Sequence, residues 1–287
     1  MCCTWGRCVV LIAAYASALF CSGCATWVPT SDEPAAVKRG FSAQGSPTDV
    51  AEIETILVRL DMNQSQRLPE LWAQIDEQAI RPELRMAMDK NGMRAGKLSA
   101  NLPPLLDEWI RETVRRLGED PLEQVGFAAD ISSFSQLWRC RANSRKDLNV
   151  RKFASEAVCV FYHDGSSKGR VYDSPQFLYS LQAAPLGDSS ATLRLTPEIH
   201  YGEPVRKVIT RDAAIRTDLR RESVVWEQLM IDLKIQRGDC IVIGPTNESR
   251  GLGEHFFHTK TQTGEIQPVL MLVRLSESSL DDTFAKR

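Results

Sequence analysis

This chain has little histidine, little excess charge of either sign and no long apolar run, and each shortage removes a class of function. Its four histidines are His163, His200, His255 and His258, and none stands in the H-E-x-x-H spacing of a zinc hydrolase. No P-loop and no dinucleotide-binding G-x-G-x-x-G occurs. The 35 basic residues are balanced by 37 acidic ones, for a net charge of −2. Nucleic-acid binding needs clustered Lys and Arg to neutralise phosphates, so no nucleic-acid partner is expected. The arginine pairs Arg115-Arg116 and Arg220-Arg221 read as solvated faces. The apolar run from Val9 to Phe20 is shorter than the roughly 20 residues that span a bilayer, which counts against a transmembrane anchor.

That short run is nevertheless the most informative stretch of the sequence. One positive charge, Arg7, precedes it, and small residues follow it, ending in Ser22-Gly23-Cys24. This is the three-part layout of a secretory signal. Its end resembles a bacterial lipobox, in which two small residues precede a cysteine that becomes lipidated. Cys21 stands where that motif usually has leucine. The expectation is a signal peptide over 1–23, lipid on Cys24, and attachment to a bacterial membrane facing the periplasm or the exterior. Residues 25–48, rich in Pro, Ser, Ala and Gly, read as a flexible tether.

Of eight cysteines, Cys2, Cys3, Cys8 and Cys21 fall in the signal and Cys24 at its end, which leaves Cys140, Cys159 and Cys240. Three is an odd number, so at most one disulfide forms within the chain. All three lie in strand-like apolar surroundings, where a free thiol behaves as a small buried hydrophobe. A Cys140–Cys159 bridge is the alternative.

The helical signals cluster early. Residues 53–61 fit both a helical face and a strand alternation, with the balance toward strand. A helix opens at Pro69 with Leu71, Trp72, Ile75 and Ala79 on its apolar face. A second opens at Pro82, carries Leu84 and Met88, and stops at Asn91-Gly92. Residues 93–98 read as a short strand. A third helix follows Pro103-Pro104, turns Leu105, Leu106, Trp109, Ile110 and Val114 inward, and ends at Gly118.

Beyond residue 130 the hydrophobic period becomes two. Strands are predicted over 137–142, 158–162, 177–183, 191–196, 229–235, 240–243 and 269–275. The turn pairs Asp164-Gly165, Gly187-Asp188 and Gly238-Asp239 punctuate them. In 191–196 apolar and polar residues alternate strictly, which means one face buried and one wet, and favours antiparallel pairing. The expected fold is α+β: a helix-rich N-terminal part over 49–126, followed over 127–278 by a mainly antiparallel β-sheet, sandwich or partial barrel, with a tail at 279–287.

Four pieces of the last third occur in a telling order. They are Leu193-Arg194-Leu195-Thr196-Pro197-Glu198-Ile199, Arg237-Gly238-Asp239-Cys240-Ile241-Val242-Ile243-Gly244, Gly251-Leu252-Gly253-Glu254-His255-Phe256-Phe257 and Val269-Leu270-Met271-Leu272-Val273-Arg274-Leu275. Together they resemble the C-terminal β-module of bacterial secretins, over residues 191–275. Gly244 is followed by Pro245 where the secretin element has a second glycine, and no series of N-terminal modules precedes it. The resemblance implies a soluble module of related β-topology engaged in envelope assembly.

Candidate chemistry is sparse. Gly165-Ser166-Ser167-Lys168-Gly169 matches G-x-S-x-G, but a nucleophile elbow needs a strand before it and a helix after it, and here strands flank both sides. His255 and His258, beside Glu254, have a spacing that would place two metal ligands on one helical face, yet Gly251-Leu252-Gly253 reads as a loop entering a strand. No catalytic residue, metal or cofactor is therefore assigned. The expected function is that of a non-catalytic, membrane-tethered envelope lipoprotein, an interaction or assembly module with an envelope protein partner. The alternative is a tethered metal-dependent hydrolase built on His255, His258, His200 and Glu254.

Overall fold

Ile53, Ile56, Leu57 and Leu60 satisfy two periodicities at once because their strand is buried on both faces. In the computed structural model, β1 (Val50–Arg59) runs through the middle of a sheet with a core on each side. Ala51, Ile53 and Leu57 face one core, while Ile56, Val58 and Leu60 face the other. The structure describes residues 49–119, 135–142, 144–153, 155–186, 188–211, 214–260 and 264–279. The signal, Cys24 and the tether lie outside the described residues, as do 120–134 and the tail after residue 279. The described residues all belong to one unit, Gly45–Arg287.

The chain continues through α1 (Met62–Gln66), α2 (Leu68–Trp72), a 3-10 turn (Glu77–Ala79), α3 (Pro82–Lys90), β2 (Met93–Leu98) and α4 (Pro104–Glu119). Then come β3 (Ser135–Arg141), β4 (Arg145–Lys152), β5 (Ala157–His163), β6 (Ser166–Tyr172), β7 (Gln176–Pro185), β8 (Ser190–Arg211) and β9 (Ala214–Val225). A 3-10 turn (Glu227–Leu229), β10 (Ile231–Gln236), β11 (Cys240–Pro245), α5 (Gly251–Phe257), β12 (His258–Lys260) and β13 (Ile266–Ser279) complete it.

All strand pairing is antiparallel. The first sheet has the order β2-β11-β13-β1-β3, with β12 on the near end of β13. The second has the order β10-β8-β7-β4, with β9 on the far part of β8, and β5 and β6 form a separate hairpin. Neither sheet closes into a barrel. The two sheets share one core, in which Ile241, Met271 and Val273 of the first meet Phe177, Leu181, Leu193 and Leu195 of the second. On the other side of the first sheet, Leu68, Leu71, Trp72, Leu106 and Trp109 of the helices cover Val58, Val242, Leu270 and Leu272. The layers are α2 and α4, the first sheet and the second sheet, with α3 and α5 packed into the core that the two sheets share.

A helix-rich part followed by a sheet is therefore not what the chain builds. The helices between residues 62 and 119 alternate with β1 and β2, and both strands belong to the sheet completed by β11 and β13. The helix opening at Pro69 is also shorter than its apolar spacing implied. It ends at Trp72, because Asp76 leaves to exchange backbone hydrogen bonds with Lys97 of β2 (2.9 and 3.0 Å). In α4, Leu105, Leu106 and Trp109 point inward as expected, but Val114 is exposed. Thr113 takes the buried place and returns its hydroxyl to the Trp109 carbonyl at 2.9 Å.

In the second sheet the alternation holds over 191–195: Leu193 and Leu195 are wholly buried, while Arg194 reaches out to Asp232 at 2.9 Å; Thr196, expected on the wet face, is buried. Leu195→Ala is expected to cost about 2–5 kcal/mol, since it removes buried methyls and leaves a cavity. Arg194→Ala should cost about 1 kcal/mol or less, as for an exposed ion pair. Urea titration of both variants checks this, and similar losses from the two would contradict the facing.

Candidate interaction surface

Sequence turns place the chemical candidates on separate elements. Asp164 and Gly165 form a two-residue hairpin loop with φ of 49° and 73°, the geometry that suits a tight β-hairpin. Ser167 follows on β6, opposite Tyr162, in an exposed strand and without a helix behind it.

His255 sits on α5, not on a loop. The glycines at 251 and 253 disguise this helix, because glycine is a poor helix former. They are needed where α5 crosses the end of α3: a Cβ on Gly253 would stand 2.0 Å from the Gly92 carbonyl oxygen. The His255 ring stacks on Phe177 (5.5 Å between centroids), and its Nε2 lies 2.9 Å from the Val158 carbonyl, so that nitrogen carries the proton and donates. Burial pushes the pKa values of His255 and His258 down, favouring the neutral rings. His200 lies on the opposite face of the second sheet from Phe177, since it pairs with Gln176, the neighbouring residue. Glu254 is exposed. The structure thus does not bring His200, Glu254, His255 and His258 together, and among the described residues no three His, Cys, Asp or Glu side chains converge as metal ligands.

Cys140, Cys159 and Cys240 are all free and buried. Burial raises their thiols to about 11, 12 and 12 respectively, far from the thiolate form that reacts.

The polar residues that the structure does gather lie at the root of a feature with no signal in the hydrophobic pattern. β8 is paired with β7 only as far as His200, yet it runs on to Arg211 and pairs there with β9. At the branch point Glu198 is almost wholly buried. Its Oε2 accepts from Arg145 Nη2 at 2.8 Å and from His200 Nε2 at 3.3 Å. Burial alone would raise this carboxyl, but hydrogen bonds from His200, Arg145 and Ser180 outweigh it and hold the group below the usual carboxylate range. The ionised Glu198 fixes β4, β7 and β8 together beneath the branch.

Beyond His200 the register shifts between Tyr201 and Val205, where Gly202 adopts φ of 71°. Such a bulge bends the strand and increases its twist. The bend is clamped from the β6–β7 turn. Gly202 donates its backbone N–H to Asp173 (2.9 Å), Arg221 donates to the Ser174 carbonyl (3.0 Å), and Arg170 donates to the Tyr201 hydroxyl (3.1 Å). The rings of Tyr172 and Tyr201 meet edge to face at 4.9 Å, with the Arg170 guanidinium over both.

Past this clamp, 205–211 and 214–220 pair only with each other among the described residues. Each strand of this arm covers about 20 Å at about 3.4 Å per residue. Val205 is 54% exposed and Leu219 is 63% exposed. They lie on opposite faces, since Val205 pairs with Arg220 and Leu219 with Arg206. Residues 205–221 hold six basic and two acidic side chains, in a chain that is otherwise acidic. No family model, curated protein or solved structure matches this chain.

Proposed function

We propose that this protein is a non-catalytic, membrane-tethered envelope lipoprotein that acts as an interaction or assembly module, with the β8–β9 arm as its docking element. One observation carries the reading. A two-stranded ribbon alone in water is marginal, and needs a third strand or a cover to be stable. The arm is rooted in a clamped base but leaves apolar side chains open on both faces, so it is completed by a partner. Its excess of positive charge selects an acidic surface on that partner and speeds encounter with it. The resemblance of 191–275 to the secretin β-module supports an assembly role in the envelope. The charged, apolar and small-residue segments before Cys24 support lipid attachment there, with the domain facing the periplasm or the exterior.

Two measurements test the two halves separately. Metabolic labelling with a palmitate analogue is expected to tag the natural chain and miss Cys24→Ser, which should leave the membrane fraction; equal labelling of both would remove the tether. A photo-crosslinking amino acid at Leu219 is expected to trap one partner in intact cells, and the adduct should disappear when residues 203–221 are replaced by a two-residue turn. An absence of adducts at every arm position would overturn the docking role.

A further inference from the structure

The second sheet ends at β10, which pairs with β8 on one side only. The Arg237 N–H donates to the Ser189 carbonyl at 3.2 Å, one step beyond the pairing of Gln236 with Ser190. Strand groups alternate in direction. Ile231, Leu233 and Ile235 therefore also turn their N–H and C=O to β8, while Asp232, Lys234 and Gln236 turn theirs outward. Gln236 is closed off by the turn that follows: its N–H donates to Asp239 Oδ2 (2.9 Å), and its carbonyl accepts from the Asp239 N–H (3.0 Å). Asp232 and Lys234 are both exposed, and no described residue takes up their backbone groups.

The side chains of this edge divide by face. Ile231 and Ile235 are wholly buried on the core side, and Leu233 between them is only partly buried, where the core meets the open edge. On the wet side Asp232 accepts from Arg194 at 2.9 Å, and Lys234 donates to Asp188 at 2.8 Å. The triplet Asp232-Leu233-Lys234 thus carries one charge of each sign about a leucine. An antiparallel strand of the same sequence, related by a two-fold axis at Leu233, sets Asp232 of each copy opposite Lys234 of the other. The charges then run Arg194, Asp232, Lys234, Asp188 across the junction, with signs alternating. Edge strands are usually blunted against such pairing by their charges. The exposed edge of β6 is of that blunted kind: Lys168 and Arg170 stand at the same spacing, and a second copy would oppose like charges.

We propose that β10 pairs with β10 of a second copy of this chain, joining the two second sheets into one about a two-fold axis at Leu233. In this register Asp232 and Lys234 exchange backbone hydrogen bonds with their opposites, and opposite charges meet on the wet face. Leu233 meets its counterpart on the core side and loses its remaining exposure. The contact is isologous, one patch of surface serving both copies. A contact of one short strand falls below the roughly 1,200–2,000 Å² of standard interfaces, which makes the dimer a weak and reversible one. It rests on neither the β8–β9 arm nor the lipid.

The test uses the full chain in detergent, with micelles in large excess so that two chains do not share one by chance. Sedimentation velocity is expected to show a monomer–dimer equilibrium. Asp232→Lys puts a lysine opposite Lys234, and Lys234→Glu puts a glutamate opposite Asp232, so each variant alone should dimerise about tenfold or more weakly. In a mixture of the two, the lysines of one face the acids of the other, and the mixed dimer should form at close to natural strength. Whatever each change does inside its own chain, to Arg194 or to Asp188, is the same in the mixture, so the recovery reads the contact itself. Leu233→Cys tests the axis. Directly opposed residues of a non-bonded pair stand about 4.5 Å apart at Cα, within reach of a disulfide, so mild oxidation should link two copies there. Four results would each overturn the proposal: a monomer throughout, single variants that self-associate like the natural chain, a mixture no tighter than either variant alone, or no covalent dimer of Leu233→Cys.

Discussion

Phe256→Ala is expected to cost about 3–5 kcal/mol of stability, a large part of the 5–15 kcal/mol that domains of this size usually have. Phe256 is wholly buried on α5, where its ring meets Phe177 edge-on at 5.1 Å and Tyr179 at 5.4 Å. Trp226 at 6.3 Å and Phe257 at 5.9 Å complete the cluster. These rings come from β7, from the segment after β9 and from α5 itself, so the cavity left by alanine cannot close by moving one element. Each edge-to-face pair adds about 0.5–1.5 kcal/mol beyond its buried area. Urea unfolding should show a lower midpoint with an unchanged slope. Leu219→Ala, on the exposed arm, should stay within about 0.5 kcal/mol of the parent. A loss below about 1 kcal/mol for Phe256→Ala would mean that α5 does not pack into the core shared by the two sheets.

The sequence pattern recovers segments whose apolar residues face a core. Strands β7, β8 and β11 were all legible because each has an apolar face to the shared core, and α3 was legible through Pro82, Leu84, Met88 and the Asn91-Gly92 stop. What escaped the pattern escaped for identifiable reasons. β4 (Arg145–Lys152) and β9 (Ala214–Val225) are dominated by charged residues, because β4 is the edge of its sheet and β9 runs along the arm. Their strand character comes from the backbone pairing of a neighbour, which no hydrophobic period records. α1 was missed although Asp61 and Gln64 form a reciprocal cap, because five residues give too short a window for a helical period. α5 was read as a loop because its two glycines serve a close crossing instead of helix propensity.

The surfaces were less legible still. The arm shows in the sequence only as a local run of arginines around Arg220-Arg221, and this read as an ordinary solvated face. Histidine, the usual pointer to chemistry, proved a poor guide. His255 and His200 are separated by a sheet, and each is explained by its own neighbours, Phe177 and Val158 for one and Glu198 for the other.

Asn91→Ala is expected to release the β5–β6 hairpin from the body of the protein and to cost about 3 kcal/mol. Asn91 is wholly buried at the end of α3. Its Nδ2 donates to the carbonyls of Ala87 and Tyr162, both at 2.9 Å, and its Oδ1 accepts the Tyr162 N–H at 2.9 Å. Its own carbonyl accepts from Gly253 of α5 at 2.8 Å. One side chain thus completes a backbone edge on β5, as a paired strand residue would, while the main chain of the same residue holds α5. Alanine keeps the bond to Gly253 but removes the other three. Each lost bond is worth about 1 kcal/mol, and groups left buried and unpaired add about 1–3 kcal/mol more, offset where water enters. Asn91→Asp is the informative control. It keeps an acceptor for the Tyr162 N–H but sets a carboxylate against the carbonyls of Ala87 and Tyr162, and should be at least as damaging. Amide hydrogen exchange supplies the local readout: Tyr162 should be protected in the natural chain and exchange through local opening in both variants, while Ile241 and Val273 in the first sheet keep their relative protection. Unchanged protection of Tyr162 in Asn91→Ala would show that the hairpin is held by its apolar contacts through Cys159 and Tyr172 instead.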